Sequence, residues 1–223
     1  MKLATLQRKA VKVAANSPEW LQLRNAGVGA SDIGAIVGLN AYRSALEVWH
    51  QKLSPPEPLD NPFIEWGHRL EAVVGEKWAE EHPEYRVVRP SGIFQSGHHL
   101  CTPDYLVAKK TVAAGVLEIK TARDGRKWVD GPPPMYLAQV QWQLYLTGLE
   151  HGWVAVLIGG SDWREYNVPR DDAAIAMLID AADRFWQQVT TRTAPDPDGS
   201  ASAQQTLREI YPLDDGEEVA IPD

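Results

Sequence analysis

Thr102-Pro103-Asp104 and Leu117-Glu118-Ile119-Lys120 are the two stretches whose side chains could do chemistry together. Successive residues of a strand point to opposite faces, so Glu118 and Lys120 share one side while Ile119 faces a core. Pro103 fixes a chain bend just before Asp104. If the Asp104 segment runs beside the Glu118 strand, two carboxylates and an ammonium converge. Such oxygen donors suit Mg2+, which prefers octahedral geometry and keeps several waters. The two carboxylates and the backbone carbonyl of Ile119 would supply the protein's share. Lys120 would orient or help deprotonate a water, because burial near a metal lowers an ammonium pKa. The plain alternative is a solvated Glu-x-Lys pair on an edge strand. Val116, Leu117 and Ile119 speak against it: they describe a covered strand, and buried charges are paired or coordinated.

Other side chains extend this centre or stand apart from it. Glu71 shares a helix face with Gly67 and Gly75 by i, i±4 spacing, and two glycines would let that helix approach the sheet closely. A third carboxylate could complete the metal's shell or hold a second ion; otherwise it is a surface glutamate. Gln139 and Gln143 share one face of the next helix, with Gln141 on another. A glutamine can position a water or a phosphate without adding charge, or simply occupy a partly exposed helix. Arg24 with Gly29-Ala30-Ser31-Asp32 makes an anion site, where free backbone N–H groups, a hydroxyl and a guanidinium meet. Ser31 would also serve as the helix cap. His98 and His99, adjacent on a strand, point to opposite faces, which predicts a surface turn rather than a metal pair.

The elements that must hold these residues can be read from pattern. Ser17 and Pro18 open a helix over 17–26, a second begins at Ala30, and a third spans 44–53 before a Pro-rich loop at 55–58. Helical spacing runs over 63–82 and 135–149, the latter after Gly131-Pro132-Pro133-Pro134. Period-2 stretches at 85–94, 100–107, 112–120, 153–160 and 163–168 read as strands. Short connections at 96–99 and 108–111 suggest an antiparallel meander. A helix over 171–190 closes an α/β fold with a mixed sheet flanked by helices. The domain is expected over 1–190, with a Pro/Asp-rich linker, a weak helix at 203–211 and an acidic, partly disordered tail within 191–223.

Composition bounds the function. The 223 residues include 9 Trp and are 44% apolar, enough for a sizeable core. The single Cys101 excludes an internal disulfide, a cysteine-ligated zinc and an iron–sulfur cluster, and fits a reducing cytoplasm. No apolar run long enough for a membrane span or signal core is present. The formal charge of −8 weakens a nucleic-acid reading without excluding it. Cations crowd the first 12 residues, whereas Asp214, Asp215, Glu217, Glu218 and Asp223 make the end acidic.

Taken in order, Trp20-Leu21-x-Leu23-Arg24, Gly29-Ala30-Ser31-Asp32-Ile33, Leu39-Asn40-x-Tyr42-Arg43-Ser44, Trp66-Gly67-x-x-x-Glu71, Thr102-Pro103-Asp104, Glu118-Ile119-Lys120 and Ala138-Gln139-Val140-Gln141 form a series. That series resembles the YqaJ-type viral recombinase family, which belongs with lambda-type alkaline exonucleases in the PD-(D/E)XK nuclease superfamily. The resemblance covers roughly residues 17–168 and implies the restriction-endonuclease-like core of that superfamily. By position, it implies that Asp104, Glu118 and the Ile119 carbonyl hold a metal and that Glu71 serves a second one. It further implies that Lys120 activates the attacking water and that Gln139 lies at the reaction centre. Arg24 and Ser31 would bind a 5′-terminal phosphate. The implied activity is 5′→3′ digestion of one strand of linear duplex DNA with Mg2+ or Mn2+, leaving 3′ overhangs for phage-type recombination in a bacterial cytoplasm. Implied partners are a single-strand annealing protein and further copies of the chain in a ring trimer. The rivals are an endonuclease of the same superfamily and a non-catalytic scaffold that binds DNA ends. The loop 121–134, with Arg123, Arg126, Lys127 and Trp128, would touch DNA or form a solvated turn.

Overall fold

A computed structural model of the chain describes residues 1–14, 17–55 and 62–212. The Pro-rich loop expected at 55–58 lies in part, and the acidic end at 213–223 wholly, outside them. The elements are α1 (Leu3–Gln7), α2 (Pro18–Asn25), β1 (Val28–Gly29), α3 (Ala30–Ile36), α4 (Ala45–Leu53), α5 (Pro62–Glu81), β2 (Arg86–Val88), β3 (Phe94–Ser96) and β4 (His99–Cys101). They continue with β5 (Tyr105–Lys109), β6 (Val112–Ala122), α6 (Pro134–Thr147), β7 (His151–Ile158), β8 (Asp162–Pro169), α7 (Asp172–Thr191) and α8 (Ala201–Ile210). Caps set the helix starts. Ser17 Oγ accepts from Trp20 N–H at 3.1 Å, and Ser44 Oγ from Glu47 N–H at 3.1 Å. In α3 the cap position falls to Gly29, whose N–H donates to Asp32 at 3.0 Å. Ser31 is therefore not the capping residue, and its hydroxyl is left for another partner.

The main sheet has the order β2-β5-β6-β7-β8. It is mixed: β6 and β7 run parallel, and the other neighbours are antiparallel. A parallel step needs a crossover, which α6 provides. A smaller sheet has the order β1-β4-β3. The strand predicted over 100–107 is thus two strands in two sheets, broken at 102–104. Pro103 has no N–H to give a ladder, so the meander stops there and the chain changes sheets.

Helices cover both faces of the main sheet. On one face Tyr105, Val107, Leu117, Ile119 and Ala155 pack with Val74 and Trp78 of α5. On the other Leu106, Ala108, Val116, Val154 and Val156 join the core made with α3, α6 and α7. The period of 2 then puts Glu118 and Lys120 on the α6 face of a central strand. Glu118 is 2% exposed, so the solvated edge pair is not what the chain builds. A Cβ on Gly75 would lie 2.6 Å from the Tyr105 ring, and there the glycine does let α5 settle on the sheet. Gly67 meets nothing within 4 Å, so the expected pair of close approaches is a single one. The helix expected at 203–211 forms as α8 and is fixed on α4: Ser202 Oγ donates to Glu47 Oε2 at 2.6 Å and lies 3.0 Å from Ser44 Oγ. No helix among the described residues is long and apolar enough to cross a membrane.

Candidate active site

Register brings the two opening motifs together. Tyr105 pairs with Leu117, so Asp104 falls opposite Glu118 one step beyond the ladder. Asp104 Oδ2 accepts from Ile119 N–H at 2.7 Å, which ties the chain bend to β6. Glu118 Oε1 accepts from Lys120 Nζ and from Gln139 Nε2, each at 2.5 Å. Its Oε2 accepts from Gln143 Nε2 at 2.6 Å. A buried carboxylate is tolerable when its lone pairs are met this way, and α6 supplies two of the donors from one face. Gln143 therefore belongs to the centre as much as Gln139 does. Gln141 faces away, donating to the Pro169 carbonyl at 2.8 Å and accepting from Asp171 N–H at 2.9 Å.

The charges are out of balance. Burial pushes the Asp104 carboxyl well above its ordinary value, the negative charges of Glu118 and Glu71 add to the push, and Lys120 and the Ile119 N–H oppose it. For Lys120, burial pulls the ammonium down, but Glu118 and Asp104 outweigh it and leave the group above its ordinary value. Two acids face this one cation. Nζ also lies 4.8 Å from the centre of the Tyr136 ring. Asp104 and Glu118 offer only oxygens, and their charge exceeds that of Lys120. A hard divalent cation of the Mg2+ or Mn2+ type fits such a set.

Beside this centre lies the anion site. Arg24 Nη2 donates to Ser31 Oγ at 2.9 Å, and the guanidinium sits 5.2 Å from the centre of the Trp20 ring. Arg24, Ser31, Thr102 and Gln139 line one pocket. Ser31, Lys120, Tyr136 and Gln139 line a second. Ser31 and Gln139 are common to both, so the anion site opens toward Lys120. Asp32, only 1% exposed, anchors the region from below. Its carboxylate meets Arg43 Nη1 at 2.7 Å and Lys52 Nζ at 2.8 Å. Lys52 Nζ in turn donates to the Arg24 carbonyl at 2.9 Å. Sequence reasoning placed Asp32 in the anion-site stretch without its anchoring role, and passed over Lys52. The acidic third position of α3 signals Asp32. Nothing in the local pattern signals a lysine 20 residues away.

Other candidates fall elsewhere. Glu71 rises from α5, on the opposite face of the sheet from Glu118, and its carboxylate pairs with Arg89. It is near enough to raise the Asp104 pKa. Among the described residues, the metal-type side chains gathered within 4.8 Å of one another are His98, His99 and Asp183, not the three carboxylates. The expectation that the two histidines diverge therefore fails. His98 sits in the turn before β4, free of the strand's alternation, and both rings converge on Asp183 of α7. In the 121–134 loop Trp128 is neither a DNA contact nor a solvated turn: it is 3% exposed and stacks with Tyr136 and Tyr166. Lys127 reaches the exposed Tyr42, with Nζ 2.8 Å from its hydroxyl.

A mixed sheet flanked by helices, with an aspartate at a chain bend and Glu-x-Lys on the neighbouring strand, defines the PD-(D/E)XK class of fold. Within it, residues 19–150 match the YqaJ-like viral recombinase domain, and the chain belongs to that family. It is 31% identical over 204 residues to the uncharacterized protein YqaJ of Bacillus subtilis (strain 168), covering 86% of the chain and 63% of that relative. The chain thus spans less than two thirds of that relative's length. The alkaline exonuclease LHK-Exo from Laribacter hongkongensis superposes with a TM-score of 0.64 at 20% identity, over 88% of this chain and 99% of that one. A phage related exonuclease from Haemophilus somnus 129PT gives 0.56 at 11% identity, over 78% and 99%. These two share the fold.

Proposed function

We propose that the chain is a Mg2+-dependent 5′→3′ exonuclease, with Mn2+ able to substitute, that degrades one strand of linear duplex DNA and leaves 3′ overhangs for phage-type recombination. The observation that carries this reading is the shared wall of the two pockets. Gln139 bonds Glu118 and lines the pocket of Arg24 and Ser31, so an anion gripped at one end lies beside the carboxylates at the other. LHK-Exo has itself been solved with dAMP.

Asp104, Glu118 and the Ile119 carbonyl would hold the ion, with Glu71 toward a second. When bound, a divalent ion lowers the pKa of water and polarises a phosphoryl oxygen. The chain's own residues do the rest. Gln139 and Gln143 lock both oxygens of Glu118 in place. Lys120 Nζ, 2.5 Å from Glu118 Oε1, holds a proton beside the scissile group and exchanges it with water there. Arg24 and Ser31 present a guanidinium and a hydroxyl to the terminal 5′-phosphate, which sets the direction of attack. The setting is the bacterial cytoplasm, with a single-strand annealing protein as partner and a ring trimer as the assembly.

The test supplies linear duplex DNA with 5′-phosphate or 5′-hydroxyl ends, and closed circles, with Mg2+ or EDTA. Digestion of linear DNA from 5′-phosphate ends, only with Mg2+, is expected. Nicking of circles would instead support an endonuclease, and no digestion at all a DNA-end scaffold. Lys120→Ala should abolish cleavage with DNA binding nearly intact. Arg24→Ala should erase the preference for 5′-phosphate ends, and an unchanged preference would refute that role.

A further inference from the structure

We propose that His98, His99 and Asp183 form a second metal site, separate from the carboxylate centre, that takes a zinc-type transition-metal ion. Both Nε2 atoms lie 2.9 Å from Asp183 Oδ1. All three ligand atoms fall within 4.8 Å of one another. Zinc–nitrogen and zinc–oxygen bonds of about 2.0–2.1 Å place tetrahedral ligands roughly 3.4 Å apart. The cluster need open by only about half an ångström to accept the ion. Asp183 is 53% exposed, so its side chain can give that much.

The histidines carry a more specific sign. His98 Nε2 is buried beside a carboxylate oxygen, yet it forms no hydrogen bond. An imidazole's lone pair and its N–H point the same way. In a tetrahedral site the ion lies about 35° off the line joining two of its ligands. His98 Nε2 has the geometry a shared ion requires, close to the oxygen but not aimed at it, whereas His99 Nε2 is hydrogen-bonded to Asp183 Oδ1 at 2.9 Å and would exchange that bond for the ion.

The surroundings hold both rings ready. His99 Nδ1 lies 3.2 Å from the Tyr145 hydroxyl, an outer bond of the kind that fixes a ligand's tautomer. Its ring stands edge-on to Trp142 at 4.8 Å. The His98 ring stacks on Trp186 at 5.5 Å and 9°. Trp186 and Asp183 sit one turn apart on α7, so a single helix turn supplies both a ligand and the platform for another. Two imidazoles and one carboxylate select zinc over magnesium, and water completes the fourth position on the exposed side of Asp183.

Such an ion would pin β4 to α7. Because β4 runs straight into Thr102-Pro103-Asp104, it would brace the strand that delivers the catalytic bend. Binding is best read in the Asp104→Asn chain, where the carboxylate centre is disabled. After EDTA treatment and dialysis, Zn2+ is titrated against a chromophoric chelator, and Tm is followed alongside. One Zn2+ per chain is expected, with Tm raised by several degrees. Asp183→Asn and His98→Gln, both at partly exposed side chains, should weaken zinc roughly tenfold or more and abolish the Tm shift. Failure of the Asp104→Asn chain to take up zinc overturns the proposal, as does equal uptake by the Asp183→Asn protein. Neither outcome depends on nuclease activity.

Discussion

At the scale of single residues, the site trades stability for charge. Burial and, after it, Glu118 disfavour the ionised form of Asp104, so its folded pKa stands above that of the unfolded chain. A raised carboxyl pKa means that stability is lost as pH climbs from about 4 toward the folded value. Asp104→Asn keeps an acceptor for the Ile119 N–H and removes the charge. It should abolish cleavage while raising Tm by about 2–4 °C near pH 8 for each kcal/mol recovered. The gain should vanish near pH 4, and a lower Tm at pH 8 would contradict the charge argument. Gln143→Leu acts in the other direction. It strips a donor from Glu118 Oε2 and should cost about 1–3 kcal/mol, read as a lower urea midpoint at unchanged m.

At the scale of elements, α5 poses a sharp contrast between two glycines. Ala at Gly67 meets open space and should stabilise by up to about 1 kcal/mol through helix propensity. Ala at Gly75 drives a methyl into the buried Tyr105 ring, and overpacking of about 1–3 kcal/mol should exceed the same propensity gain. Paired urea titrations check both, and a stabilised Gly75→Ala would mean that α5 does not rest on β5. Local chemistry explains what could be read in advance. Ser17 and Pro18 announce their helix because caps act within one turn, and Glu118-x-Lys120 announces its face because alternation is strictly local. What could not be read depends on partners far along the chain. The move from the small sheet to the large one at Pro103, the crossing of β6 to β7 and the 20-residue reach from Asp32 to Lys52 leave no periodic mark. Alternation misled at His98, where a turn cancels it.

At the scale of the whole molecule, a chain of formal charge −8 that is proposed to act on DNA must hold its cations where they count. Asp32 does part of this holding for α2, α3 and α4 together. It binds Gly29 N–H, Arg43 and Lys52, and through Lys52 it reaches the Arg24 carbonyl. Burial alone would raise its pKa, but Lys52, Arg43 and Arg24 outweigh burial and hold the carboxyl far below its ordinary value. Lys52, ringed by Arg24 and Arg43, carries the burial cost and is pulled down despite Asp32. For a depressed carboxyl the sign is opposite to that of Asp104. The stabilisation is complete above the unfolded pKa of about 4 and drains away as pH falls below it. Asp32→Asn would leave the buried Lys52 ammonium without its carboxylate and take one acid from Arg43, and should cost about 3–5 kcal/mol at pH 7. The deficit should shrink steadily below pH 4, as wild type sheds a stabilisation the variant never had. Urea titrations of both proteins at pH 7 and pH 3 measure the gap. If the gap is the same at both, Asp32 does not couple the anion site to the fold through its charge, and the three helices must be held by packing alone.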